Sequence, residues 1–288
     1  MHGRKTPSTP IIRTWSATTP RDGRCMRVFA SLSAISLALA APQAEAAPRR
    51  VASLNLCTDE LVMLLAAPEQ IVSVTHLAQQ ERETPLWRVA GRYARNDGSL
   101  LSVVPLRPDL VVTMGGGGRD RVRIAERLGM RTLDLPFAQS LGDVAESVRR
   151  LARALGREEQ GVRLLRRMAA LIRSAPPAAR DTIWLGGGGR TVAASGLEAQ
   201  WMRLAGLRQR PMQGDRVSLE TLIVAPPTVL LRSDYRAGQY SNQQRWLSHP
   251  AARLSGRART IATDGRLWTC MGPLLMGEIA RLRGEAAR

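Results

Sequence analysis

From Arg50 onward the chain alternates short apolar runs with longer stretches of helical period. "RVASLNL" (50–56) reads as a strand, and "TDELVMLLAA" (58–67) reads as a helix with Thr58 or Asp59 as its cap. "IVSV" (71–74), "DLVVTM" (109–114) and "RTLDL" (131–135) are β-rich runs bounded by breakers, the pattern of buried strands. "RDRVRIAERLG" (119–129) is an amphipathic helix closed by Gly129. The centre differs. Residues 140–174 carry no strand signal and read as two helices, capped by Ser140, broken at Gly156 and stopped by Pro176-Pro177. Alternation then resumes with strands "DTIWL" (181–185) and "TVLLRS" (228–233) and helices over 197–207 and 271–284. Strands alternating with helices predict parallel, doubly covered sheets. The second central helix, 158–174, has the length of a stiff strut between two bodies.

Two internal echoes strengthen the two-body reading. "LLSVVPLRPDLVVTM" (100–114) resembles "LETLIVAPPTVLLRS" (219–233): a short helix, a turn marked by Pro108 or Pro227, then a buried strand. "VVTMGGGGRDR" (111–121) rhymes with "TIWLGGGGRTV" (182–192). Neither glycine run fits a phosphate loop, because the only lysine is Lys5, and neither has the dinucleotide spacing. Glycines at strand ends instead let a ligand approach the backbone, with Arg119 and Arg190 at the rim. The alternative is a pair of solvated surface loops.

The N-terminus changes the reading of compartment. Arg27, the uncharged run Val28–Ala41 and Ala44-Glu45-Ala46 make a secretory signal pattern, with cleavage expected near Ala46 and an exported, unlipidated product. The formal charge of +18 suggests nucleic acid at first. However, the arginines are spread along helices and an exported chain rarely meets nucleic acid, so an anionic ligand or surface is the better use. Cys57 and Cys270 remain beyond the leader. They form a disulfide or pack as two half-buried small residues, and spacing alone does not choose.

Motifs for chemistry are sparse. His76 and His249 have no second ligand at metal spacing, and no nucleophile elbow occurs, so neither a metal site nor a catalytic residue is expected. "SDYRAGQY" (233–240) places Tyr235 and Arg236 after a strand, a pairing suited to a planar or anionic ligand or else to a solvated turn.

Three stretches together, "RRVASLNLCTDELVMLLAAPEQIVSVTHLA", "GSLLSVVPLRPDLVV" and "VSLETLIVAPPTVLL", with the central helices between them, resemble a known family across residues 49–283. It is that of the periplasmic substrate-binding proteins of ABC importers for iron-siderophores, haem and cobalamin, of the class built on a helical backbone. The resemblance implies an α/β fold with two Rossmann-like lobes joined by a single long rigid helix and a ligand cleft between them. The expected division is leader 1–46, first lobe 47–140, helical connector 141–176 and second lobe 177–288. It implies a periplasmic, non-enzymatic monomer without a resident cofactor, whose partners are a small metal chelate and the permease subunits of the inner membrane, with no nucleic acid.

By position, the cleft would be lined by Asn55, Leu56, Cys57, His76, Arg95, Met114, Gly115, Arg119, Gly188, Arg190, Tyr235, Arg236 and Trp268. The family usually carries a permease-docking glutamate in each lobe. Glu220 matches in the second, while Leu101 stands at the matching place in the first. A cleft rich in arginine and poor in aromatics favours an iron-siderophore or similar anionic chelate over cobalamin or haem. The competing classes are an exported two-lobed enzyme and a cationic surface-binding protein without a closed pocket.

Overall fold

The computed structural model describes residues 46–116, 119–235, 250 and 258–288, with backbone alone at 119–121. These residues fall within one compact unit, Glu45–Arg288. The signal pattern, Arg236 and the side chain of Arg119 lie outside the described residues.

Among the described residues, two separate parallel sheets form. The first has five strands: β1 (Val51–Ser53), β2 (Ile71–Thr75), β3 (Ala94–Asn96), β4 (Leu110–Met114) and β5 (Arg131–Leu135), in the order β3-β2-β1-β4-β5. The second has four: β6 (Arg180–Leu185), β7 (Leu207–Gln209), β8 (Val229–Ser233) and β9 (Arg259–Thr263), in the order β7-β6-β8-β9. The central strands are apolar on both faces, as in Val111-Val112 and Leu230-Leu231, because helices cover both sides. β3, β7 and β9 escape a periodicity reading because they are short, polar strands at or next to a sheet edge.

Among the described residues the helices are α1 (Leu56–Leu65), α2 (Trp87–Ala90), α3 (Leu100–Val103), α4 (Arg119–Arg127), α5 (Leu141–Ala154), α6 (Glu158–Arg173), α7 (Leu197–Leu204), α8 (Leu219–Val224), α9 (Leu267–Cys270) and α10 (Leu275–Ala287). One expectation is corrected at α1. It is capped by Asn55, whose Oδ1 accepts from Cys57 N, and not by Thr58 or Asp59, both fully buried one turn inside. Thr58 Oγ1 donates back to Asn55 O, while Asp59 turns inward to Thr75.

The repeat seen in the sequence is a repeat of structure. Ser99 caps α3 by accepting from Ser102 N, and Ser218 caps α8 by accepting from Thr221 N. Each helix leads to a central strand, β4 or β8, and covers a small outer cluster. Leu100 and Val103 pack over Ala52 and Val111, and Leu222 packs over Ile183 and Leu230.

On their inner faces the two sheets share one continuous apolar core. It runs from Leu61 and Val74 through Leu151 and Leu164 to Trp201, Leu231 and Ile279. α5 and α6 lie against each other, with Gly161 so close to Ala152 that a Cβ there would collide with it. Gly156, at φ +65, makes the turn between them. α6 braces both halves: Gln160 Nε2 donates to Leu64 O, and Arg283 Nη2 donates to Leu171 O. A shared core and a braced connector favour a rigid pair of lobes over a loose hinge.

Candidate functional site

In an open parallel sheet, ligands bind beyond the carboxyl ends of the strands. On the first sheet those ends carry Asn55, His76, Asn96, Met114 and Phe137; on the second they carry Gly186, Tyr235 and Gly265. Buried polar groups hold this layer in place. Asn96 Nδ2 donates to Ser53 O and Ser73 Oγ, and Gln209 Oε1 accepts from Trp184 N.

His76, Arg95, Asn96, Asp97 and Ser102 surround an open hollow of about 500 Å³. The backbone fixes it, since His76 N donates to Asn96 O. Asp97 is held ionised by the hydrogen bond from Ser99, with a pKa lowered to about 2. The hollow therefore combines an imidazole, a permanent cation and a carboxylate, groups that can bind a polar ligand by charge-assisted bonds.

A second, narrow cavity of about 20 Å³, room for about one water molecule, lies where the lobes meet. Cys57 and Met114 line it from the first lobe, and Cys270, Gly272 and Leu274 line it from the second. Cys57 and Cys270 are joined in a disulfide, with Cα atoms 5.1 Å apart. Further contacts cross the boundary nearby. Tyr235 Oη donates to Glu83 Oε2 at 2.7 Å, and Arg266 Nη1 donates to Glu81 O at 2.8 Å. Gln200 on α7 ties the 139–141 segment through Leu141 N and Gln139 O.

Several residues expected in the cleft serve the scaffold instead. Leu56 is buried in the core. Trp268 is only 6% exposed, packs against Trp184 and donates from Nε1 to Thr263 Oγ1, so it is a core ring and not a cleft ring. Gly115, at φ +83, does not leave room for a ligand. The Phe137 ring occupies the space its Cβ would take. Gly188, at φ +66, accepts from Arg216 through its carbonyl, and Arg190 pairs with Asp215 at 3.1 Å. The second glycine run is thus pinned to the 215–217 segment of its own lobe, with Val217 N donating to Gly189 O. Gly188 and Gly189, at φ +66 and +76, take the left-handed backbone that favours glycine.

Three features were missed in the sequence. Phe137 is 59% exposed beside Gly115. It was overlooked because it follows an edge strand without a motif. Asp59 and Glu60 read as helix-start acids, yet both are buried, and burial raises each pKa to about 7 against the hydrogen bonds from Thr75 and Thr84. Glu83 and Arg266 reach across the lobes from loops with no signal of their own.

Glu220 and Leu101 take the same place in the two lobes, second in a serine-capped helix. Both are exposed, Leu101 at 77%. Ile223 and Val224 extend an apolar surface on α8.

A family model described as periplasmic binding protein matches residues 51–255. No curated protein matches the chain. Among solved structures, the apo form of the periplasmic haem-binding protein RhuT from Roseiflexus sp. RS-1 is similar at TM-score 0.63 and 21% identity, covering 83% of this chain and 99% of that one. A periplasmic haem-binding protein from Pseudomonas aeruginosa gives TM-score 0.60 and 20% identity over 83% and 92%. The periplasmic vitamin B12-binding protein BtuF of Vibrio cholerae gives 0.58 and 15% over 83% and 97%.

Proposed function

This chain belongs to the periplasmic binding protein family, and on that premise we propose that it is the solute-binding component of an ABC importer. It captures a metal chelate, an iron-siderophore or similar anionic complex, and delivers it to a membrane permease. The observation that carries the ligand class is the hollow in which Arg95 and His76 stand together at the carboxyl end of the first sheet. Arginine is always charged and makes bidentate contacts with carboxylate and catecholate-type oxygens. Tyr235, at the equivalent end of the second sheet, closes the boundary against Glu83. The leader ending near Ala46 directs the chain to the periplasm, where it acts as a monomer and not as an enzyme. Docking uses Glu220 on the second lobe and the apolar Leu101 on the first.

One observation favours a second reading. The exposed Phe137 ring offers a flat apolar surface of the kind that packs on a haem or corrin face.

Tryptophan-fluorescence titration against ferric siderophores, haem and cobalamin tests both. Saturable binding of a ferric siderophore, weakened in Arg95→Ala, supports the first reading. Haem or cobalamin binding that is weakened in Phe137→Ala and unaffected in Arg95→Ala supports the second. No binding across the panel overturns both.

A further inference from the structure

The Cys57–Cys270 bond joins the two lobes at a second point, independent of the chain through α5 and α6. Cys57 lies in the first turn of the ten-residue α1. Cys270 is the last residue of α9, followed by Met271 in a left-handed turn at φ 48. That turn is held from the second lobe, because Trp201 Nε1 donates to Met271 O at 2.9 Å. Both cysteines are half-buried and not sealed in the core. The narrow cavity they line also contains Glu60, three residues after Cys57 and therefore on the same face of α1. Ser147, on α5, lines the same cavity, and its Oγ is buried without a hydrogen-bond partner. A lone disulfide in a packed interface needs neither a carboxyl nor an unpartnered hydroxyl beside it, and burying either is costly.

We propose that Cys57–Cys270 is a thiol–disulfide exchange site that latches the two lobes together, with Glu60 as the proton donor to the departing Cys57 sulfur.

The partner is a dithiol. Its thiolate attacks the Cys270 sulfur, forming a mixed disulfide as the Cys57–Cys270 bond breaks. Cys57 leaves as thiolate, the better leaving group because the N-terminus of α1 stabilises its charge. Glu60 gives it a proton and is reprotonated by water. The second thiol of the partner then displaces Cys270, which takes its proton from solvent. Two electrons pass to the protein, which ends with two thiols, and the partner ends as a disulfide. Burial keeps the Glu60 carboxyl protonated to about pH 7; the hydrogen bond from Thr84 opposes that shift, and the neighbouring acids Asp59 and Asp264 add to it. A proton donor matched to the thiol's own range is the arrangement general acid catalysis requires.

The test needs no transport ligand, so its failure is separable from failure of the functional reading. The oxidised protein is reduced with excess dithiothreitol, and thiol release is followed from pH 6 to pH 8.5 in wild type and in Glu60→Gln. The expected result is reduction about tenfold slower in the variant at pH 6, converging with wild type above pH 8 as Glu60 ionises. A ratio that does not change with pH makes Glu60 merely structural and overturns its role. Hydrogen exchange tests the latch. In the reduced wild type, amides of 56–60 and 266–271 should be accelerated roughly tenfold more than those of β4 and β6, whose change reports only the loss of global stability. Uniform loosening of the whole chain, or no change, overturns the latch.

Discussion

Asp59 is fully buried, and its carboxylate accepts hydrogen bonds from Thr75 N and Thr75 Oγ1, with Ser53 beside it. Burial outweighs those bonds and raises its pKa from 3.8 to about 7. A raised carboxyl means the folded chain keeps a proton that the unfolded chain has already released between about pH 4 and pH 7. The cost is absent below the lower value, grows with each pH unit, and is complete by about pH 7. At 1.36 kcal/mol per pH unit it reaches about 4 kcal/mol, an order-of-magnitude figure. Asparagine can accept from Thr75 with the same shape and cannot ionise. Asp59→Asn should therefore gain about 2–4 kcal/mol relative to wild type between pH 4.5 and pH 8. Urea unfolding of the oxidised proteins at both pH values measures this. A difference between the proteins that is independent of pH, or that turns against the variant as pH rises, would refute the assignment of a buried, desolvated acid.

Other consequences follow from the same geometry. Cys57→Ser, or reduction of wild type, should lower stability by about 3–5 kcal/mol in urea unfolding, because the bond closes a very long loop. Gly115→Ala should cost about 1–3 kcal/mol by thermal unfolding, since it strains a left-handed backbone and displaces the Phe137 ring. Replacing Leu101 with glutamate should strengthen association with permease-containing vesicles if the permease presents a cation there, and Glu220→Gln should weaken it; co-sedimentation reports both. Trp268→Phe should leave ligand affinity in the fluorescence titration unchanged while costing about 1 kcal/mol of stability, the value of its bond to Thr263.

The boundaries of β2, β4, β5, α5 and α6 agree with the sequence pattern to within a residue or two, because each depends on neighbours close in the chain. Ser140 caps α5 as expected, and the helix–proline–strand echo marks equivalent elements in the two sheets. The candidate site was less legible. His76 could be placed after a strand, while Arg95 entered the expected cleft only through the family resemblance; that they share one hollow depends on the pairing of β2 with β3, and β3 carries no periodic signal. Trp268 was expected as a cleft ring because it stands next to a loop, but packing against Trp184 buries it.

The sequence by itself determined the alternation of strand and helix, the helical centre and the duplication of one supersecondary unit, since apolar period, caps and prolines act over a few residues. Tertiary structure alone decided that Cys57 meets Cys270, that Tyr235 reaches Glu83, and that Asp59 and Glu60 lose their water. Those outcomes depend on how the two sheets face each other across a shared core, and no local pattern in the chain encodes the distance between residues so far apart.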